Sequence, residues 1–284
     1  MMMVDLPLAF VKMSGTGNDF ILVDHRRPRI VPEAMPEFAR LVCRRRFSVG
    51  ADGLILIEDS DRADFRWRFF NADGSEAEMC GNGARCAARF AYMHGIAPAR
   101  MRFETLAGII EASVADINVS VKMTRPTDLR LDLGLEVGGA SLVLHSVDTG
   151  VPHVVIFVED IDRTDVCGLG RSIRHHEAFM PAGTNVNFVQ QRPDGAFKVR
   201  TYERGVEDET RACGTGAVAA ALVAALLERA ASPVEIVTSG GDRLTILFDL
   251  QGGPAADNVF LKGPAHVVYR GELNSEALLG GRSG

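Results

Sequence analysis

The stretch CGTGAVAAALVAALL at residues 213–227 decides the fold of this chain. Alanine, valine and leucine lie on every side of the helix that it predicts, so the helix has no polar face to turn toward water. Such a helix has to be covered on several sides, which one flat sheet face cannot achieve. The stretch therefore predicts a mostly antiparallel β-sheet curled around a central α-helix.

A second copy of this opening lies 133 positions earlier, in CGNGARCAARF at residues 80–90. Repeats this long are not solenoid modules, so we expect an α+β protein of two pseudo-symmetric domains. Residues 1–126 with 270–284 are expected to form the first domain, which carries Cys80, and 127–269 the second, which carries Cys213. Other segments hold the same offset: Thr16 and Thr149, Gly50 and Gly183, Phe69 and Tyr202, Asn71 and Arg204, Thr105 and Thr238.

Short strand signals surround both helices, and Gly, Asp and Asn separate them. The helices are predicted over residues 83–94 and 216–230, each stopped by a downstream proline. Residues 111–123 read as one strand. A final strand at 258–269 is expected to have no counterpart in the repeat.

Composition excludes several classes of protein. The chain has 284 residues, 46% of them hydrophobic, a net charge of −6 and no extended basic run, so a nucleic-acid partner is not expected. No stretch approaches the roughly 18 apolar residues of a membrane span, and the apolar start is too short for a signal peptide, which favours the cytoplasm. Five cysteines without a CxxC pair disfavour a disulfide framework and a structural zinc site.

The two repeated cysteines predict acid/base chemistry. A cysteine at the first turn of a helix lies beside unpaired backbone N–H groups and the positive end of the helix dipole, which favours its thiolate. Inverting an amino-acid α-carbon needs one base on each face, because the proton leaves one side and returns on the other. Cys80 and Cys213 could supply both bases. The adjacent glycines would let backbone N–H groups approach the substrate carboxylate.

With these motifs the chain resembles the diaminopimelate epimerases, the PLP-independent enzymes of lysine and peptidoglycan synthesis. The matching segments span nearly the whole chain: KMSGTGNDF at 12–20, GADG at 50–53, FNADGS at 70–75, CGNGARC at 80–86, Pro152-His153, YERG at 202–205 and ACGTG at 212–216. Together they are far more specific than any single glycine-rich segment.

The resemblance implies conversion of LL-2,6-diaminopimelate to the meso isomer without metal, nucleotide or pyridoxal, in a homodimer whose active site lies in the cleft between the domains of each chain. It makes Cys80 and Cys213 the catalytic pair, with His153 and Glu203 tuning the thiol pKa values. The positions that it assigns to substrate binding are Asn18, Asn71, Gly81, Asn82, Asn185, Glu203, Arg204, Gly214 and Thr215.

Three alternatives remain open. Val151 stands where many family members have Asn, and a Gln that some members carry near Gly53 is absent, so a cofactor-independent racemase of another amino acid is the nearest rival. A phosphate or nucleotide binder could use the helix N-termini, although the chain has neither a Walker lysine nor the GxGxxG spacing. A thiol redox protein could use the same cysteines as a disulfide.

Overall fold

The computed structural model describes residues 4–250 and 255–279, which divide into two compact units. The first unit comprises the chain up to Val121 and again from Pro264, and the second is Lys122–Gly263. The sequence placed these breaks slightly later, after residues 126 and 269. Within the described ranges, no helix is both long and apolar enough to cross a membrane.

Strands dominate both units. The strands are β1 Leu8–Gly15, β2 Asn18–Asp24, β3 Gly53–Glu58, β4 Phe65–Asn71, β5 Arg100–Thr105, β6 Gly108–Ala115, β7 Asn118–Lys122, β8 Thr127–Val137, β9 Ala140–Asp148, β10 Pro152–Phe157, β11 Asn185–Gln191, β12 Phe197–Glu203, β13 Asp208–Thr210, β14 Val234–Val237, β15 Arg243–Leu250, β16 Ala256–Pro264 and β17 His266–Leu273. The helices are α1 Met35–Val42, α2 Gly81–Met93, α3 Val166–Arg174 and α4 Gly214–Leu226, with short 3₁₀ segments at Pro32–Ala34, Glu177–Phe179 and Ser275–Leu278.

The strands of the two units share one pattern of directions. In the first unit the order is β17-β1-β2-β3-β4-β5-β6-β7, parallel at β2–β3 and β4–β5 and antiparallel elsewhere. In the second it is β8-β9-β10-β11-β12-β14-β15-β16, parallel at β10–β11 and β12–β14. The predicted pseudo-symmetric α+β fold is confirmed.

Each sheet encloses the helix that begins at its repeated cysteine. Apolar residues from seven strands, β1 to β7, pack around α2, and residues from β9 to β12 and β14 to β16 pack around α4. Every α4 residue from Gly216 to Ala225 is buried, as its all-apolar sequence predicts. Burying one valine or leucine side chain stabilises a fold by roughly 1.5–3 kcal/mol, so α4 and its cover hold the second unit together.

A second apolar layer lies on the other face of each sheet. Helix α1 packs there in the first unit and α3 in the second, each with its own cluster of buried side chains. Neither helix was predicted from the sequence. They have only eight and nine residues, too few for a helical period to stand out from the surrounding strands.

Two strand predictions are wrong. The single strand expected at 111–123 is a hairpin of β6 and β7, because Asp116 turns the chain at φ +57°. The predicted final strand is in fact two strands, and both have counterparts in the other unit. Strand β16 corresponds to β7, because β16 pairs with β15 as β7 pairs with β6. Strand β17 corresponds to β8, because β17 pairs with β1 as β8 pairs with β9. Strand β16 begins more than 133 positions after β7, so the fixed sequence offset did not align the two strands.

The repeat also slips by one residue in its middle. The residues that align across three neighbouring strands are Ile21, Leu54 and Phe70 in the first unit and Val154, Val186 and Tyr202 in the second. Tyr202 therefore corresponds to Phe70, and Glu203 corresponds to Asn71. The sequence pairing of Asn71 with Arg204 is wrong, because the β10–β11 connection is one residue shorter than its β2–β3 equivalent.

Candidate functional site

Both repeated cysteines occupy the N-cap of a central helix. Cys80 has extended backbone angles (φ −148°, ψ 117°), and its Sγ accepts a hydrogen bond from the Gly83 N–H at 3.5 Å. Cys213 is similar (φ −122°, ψ 110°), with Sγ 3.4 Å from the Gly216 nitrogen. Each sulfur thus takes the place of the oxygen acceptor in an ordinary cap, beside the positive end of the helix dipole.

Beneath Cys80 the packing is apolar. A Cβ added at Gly83 would lie 3.3 Å from the Ile55 methyl and 3.4 Å from the Trp67 ring. The rings of Phe20 and Phe69 meet edge to face close by in the same core, with centroids 5.8 Å apart. We call Phe20, Ile55, Trp67 and Phe69 the apolar floor of the first unit.

Beneath Cys213 the packing is polar. A Cβ at Gly216 would clash with Asn187 Oδ1, so Gly216 is needed for this approach. The Asn187 amide donates to Val154 O at 2.8 Å and lies 3.1 Å from His153 Nδ1, while its oxygen accepts from Thr201 Oγ1 at 2.9 Å. We call His153, Asn187 and Thr201 the polar floor. The strand pairings show that these three residues occupy the positions that Phe20, Ile55 and Phe69 occupy in the first unit, in that order.

The first unit brings Asn18 and Asn82 together beside the α2 N-terminus. Asn82 Nδ2 donates to Asn18 Oδ1 at 2.7 Å and to Thr16 O at 3.2 Å. Asn18 Nδ2 donates in turn to Asp52 Oδ2 at 3.0 Å, and Asp52 is held by Arg45 at 2.9 Å. Both asparagine amides therefore have fixed orientations before any ligand arrives.

A buried arginine that no sequence motif assigned to the site supports this cluster. Arg85 is fully buried in α2 and donates to Asn82 Oδ1 at 2.7 Å and to Thr16 Oγ1. The sequence did contain a sign of this role, namely a charged residue within a helix of small apolar side chains. A charge is buried only where hydrogen-bond partners compensate its lost hydration, so such a residue indicates a buried polar cluster.

Asn71 lies in a tight turn at the end of β4. Its backbone N–H donates to Ser75 O at 2.8 Å and its side-chain amide to Ser75 Oγ at 3.0 Å. Gly74 has φ +88°, and a Cβ there would meet Pro36 O at 2.5 Å, so the turn requires glycine. The turn directs the chain from β4 toward Cys80.

The second unit brings Asn185 and Arg204 together. Asn185 Oδ1 accepts from the Arg204 backbone N–H at 2.8 Å, and its amide donates to Pro152 O at 3.1 Å. The Arg204 guanidinium donates to Ala182 O at 2.9 Å. Glu207 holds the following turn by accepting from the Gly205 N–H at 3.0 Å.

The α4 N-terminus is braced by a threonine from the same position as Thr16. Thr149 Oγ1 donates to Thr215 O at 3.1 Å, and the Thr215 hydroxyl lies 3.5 Å from Cys213 Sγ. The repeat thus places one threonine against each helix start, with different partners in the two units.

The electrostatics of Cys213 contradict the predicted ease of forming its thiolate. Burial, and after it the Glu203 carboxylate, raises the pKa of Cys213 to about 12, although hydrogen bonds from Thr215 and Gly216 act in the opposite direction. Burial also raises the pKa of Glu203. Burial lowers the pKa of His153 to about 3, and the charge of Arg204 adds to this effect. At neutral pH Cys213 is therefore a thiol and His153 is uncharged.

Comparison with known proteins identifies the family. The family model described as diaminopimelate epimerase matches residues 10–129 and 145–268. The chain belongs to the diaminopimelate epimerase family. It is 47% identical to the diaminopimelate epimerase of Aquifex aeolicus, covering 95% of this chain and 99% of that protein. It is 44% identical to the one from Archaeoglobus fulgidus, covering 95% and 98%.

Solved structures of low sequence identity share the family fold. A PhzF-family phenazine biosynthesis protein from Bacillus anthracis matches with a TM-score of 0.72 at 16% identity, over 95% of this chain and 99% of that one. A probable proline racemase from Agrobacterium radiobacter matches with a TM-score of 0.66 at 17% identity, over 94% and 93%. At such identities the likeness establishes the fold alone.

Proposed function

We propose that this protein inverts one stereocentre of LL-2,6-diaminopimelate to give meso-diaminopimelate, and catalyses the reverse reaction as well. Family membership supports this proposal, because relatives matched over nearly their whole length bear that name. The observation that carries the chemistry is that both repeated cysteines cap a buried helix through their sulfur atoms.

The proposed mechanism uses one sulfur for each face of the α-carbon. One cysteine, as thiolate, removes the α-proton, and the other, as thiol, donates a proton to the opposite face. The negative charge of the carbanion spreads into the substrate carboxylate. Backbone N–H groups of a helix first turn, at Gly81-Asn82 and Gly214-Thr215, are suited to stabilise that charge.

We assign the polar residues around each cap to substrate binding. Asn18 and Asn82 belong to a fixed cluster that offers amide groups to an amino-acid head group. Arg204 carries a planar guanidinium suited to a carboxylate, and its backbone is held by Asn185. We retain Asn71 and Glu203 in this set because of the family motifs that contain them.

The raised pKa of Cys213 keeps it a thiol in the free protein, the state from which it can donate a proton. Glu203 contributes to that state, which supports its proposed role in tuning the thiol. The reverse reaction needs the Cys213 thiolate, whose formation the helix N–H groups assist.

Deuterium incorporation tests the proposed reaction. Incubating LL-diaminopimelate with the protein in heavy water should give meso product that carries deuterium at the inverted α-carbon. At early times the remaining LL substrate should stay unlabelled, because the two bases act from opposite faces. The panel should include proline, glutamate, aspartate and lysine. Faster exchange on one of these would favour the rival racemase, and no exchange on any substrate would overturn the proposal.

We also propose that the protein acts as a homodimer, as the family resemblance implies. Sedimentation equilibrium at enzyme concentrations used for the assay should give twice the chain mass of 30.7 kDa. A species of single-chain mass with full activity would contradict this.

A further inference from the structure

The polar floor is an unusual feature of the second unit. His153 and Asn187 are 1% and 0% exposed, and Thr201 is 3% exposed, within a core that is otherwise mainly apolar. The equivalent positions of the first unit are Phe20, Ile55 and Phe69. Burying polar groups costs free energy unless each finds a partner, so an apolar trio would pack at least as well.

Hydrogen-bond chemistry fixes the orientation of the Asn187 amide. The carbonyl oxygen of Val154 can only accept, so the Asn187 atom at 2.8 Å from it is the NH₂ nitrogen. The other atom is therefore the oxygen, which accepts from the Thr201 hydroxyl at 2.9 Å. Exchanging the two atoms would set two acceptors against each other at Val154.

This orientation in turn fixes the proton of His153. The same NH₂ nitrogen lies 3.1 Å from His153 Nδ1, so Nδ1 has to accept. A neutral imidazole carries one proton, which then resides on Nε2. We propose that Asn187 is a positioning residue that locks His153 as the neutral Nε2–H tautomer, so that His153 serves the reaction as a fixed hydrogen-bond donor and not as an acid or base.

Two further observations agree. Burial and the charge of Arg204 hold the pKa of His153 to about 3, so the ring stays neutral at working pH. The buried Nε2 atom has no hydrogen-bond partner among the described residues. An unpaired buried N–H is destabilising, and an anionic acceptor in the bound state would remove that cost.

The tautomer can be measured on the unmodified protein. In ¹⁵N-histidine-labelled protein, His153 should show an unprotonated Nδ1 and a protonated Nε2 throughout pH 5–9. His145 is an internal reference, because its Nδ1 accepts from the Asp132 N–H at 3.1 Å and the same tautomer is expected. His153→Gln assigns the signals. A protonated Nδ1 on His153 would overturn the inference without any use of activity.

Variants test the effect on catalysis, which rests on the proposed function. Asn187→Asp replaces the donor with an acceptor, so the proton should move to Nδ1. A histidine held in the wrong tautomer can cost on the order of 10²–10⁴ in kcat. We expect a loss in that range with KM changed much less. Thr201→Val is the matched control, because it leaves the Asn187 NH₂ in place and should keep the tautomer.

The outcomes are distinguishable. Near-normal kcat in Asn187→Asp with the proton moved to Nδ1 would overturn the role of the tautomer. A shifted proton in Thr201→Val would contradict the orientation argument. If the unmodified protein fails to invert diaminopimelate, the proposed function falls while the tautomer measurement still stands. Should Asn187→Asp not fold, the labelled unmodified protein alone decides the assignment.

Discussion

Cys80 and Cys213 cap their helices with nearly the same backbone, yet the residues beneath them differ completely. The first has aromatic and aliphatic side chains below it, and the second has an asparagine tied to a histidine and a threonine. Both units thus have the same cysteine cap, with a glycine three residues after it, but the core side chains below that glycine differ. An apolar floor can only pack, whereas a polar floor can also orient a hydrogen-bond donor.

The two bracing threonines show the same division. Thr16 Oγ1 donates to Asn82 at 3.0 Å and accepts from the buried Arg85. Thr149 Oγ1 donates to the backbone oxygen of Thr215. The same position of the repeat therefore holds a threonine that hydrogen-bonds a buried charged side chain in the first unit, and one that hydrogen-bonds a neutral backbone carbonyl in the second.

The largest expected effect comes from removing either sulfur. Cys80→Ala and Cys213→Ala should each lower the rate of epimerisation by about 10²–10⁴-fold or more, because each removes one acid/base group. The measurement is product chirality over time, with circular dichroism as the control for folding. Near-normal turnover in either variant would contradict the equivalence of the two caps.

The next largest effect is expected from adding a methyl group to the glycine above the polar floor, with the equivalent glycine above the apolar floor as the control. Gly216→Ala should push Asn187 away and lower kcat by about 10²-fold, since displacements near 1 Å can cost that much. Gly83→Ala meets Ile55 and Trp67 at 3.3 and 3.4 Å, a contact that slight repacking relieves. Its kcat should stay within a few-fold of the unmodified protein. Equal losses in the two variants would mean that the floors do not differ in function.

A smaller effect compares the two threonines by stability. Thr16→Val should cost about 1.5–3 kcal/mol, because a hydrogen bond to the charged Arg85 is lost. Thr149→Val should cost about 1 kcal/mol, the value for one neutral hydrogen bond. Urea unfolding midpoints give both numbers. A larger cost for Thr149→Val would contradict the assigned roles.

The smallest effect is electrostatic. Glu203→Gln removes a negative charge that raises the pKa of Cys213, so that pKa should fall and alkylation of Cys213 should begin at lower pH. Peptide mapping after iodoacetamide treatment across pH reports this cysteine alone. Glu209→Gln is the control, because Arg200 already pairs with that carboxylate at 2.6 Å. An unchanged or upward-shifted profile in Glu203→Gln would count against the assigned tuning.

Much of the fold follows from particular stretches of sequence. The all-apolar helix predicted its own burial, and the repeated Cys-Gly motif predicted two related units. Helices α1 and α3 were missed because a few turns of helix carry too little periodicity. The hairpin of β6 and β7 was missed because one residue of positive φ, Asp116, makes the turn without glycine or proline.

The candidate site was partly predictable. Motifs pointed to Cys80, Asn82 and Cys213, and the structure places each at a helix start. The raised pKa of Cys213 could not be predicted, since it depends on burial and on the distance to Glu203. Asn187 carried no motif, and only strand register brings it under Gly216.

The amino-acid sequence by itself determined the duplicated architecture, the buried helices and the cysteines that begin them. These features follow from local hydrophobic pattern and from residue types that no packing partner has to supply. Tertiary structure alone decided which side chains lie beneath each sulfur, how Cys213 titrates and where His153 carries its proton. Those properties depend on distances of a few ångströms between residues far apart in the chain, and only the packed sheet sets such distances.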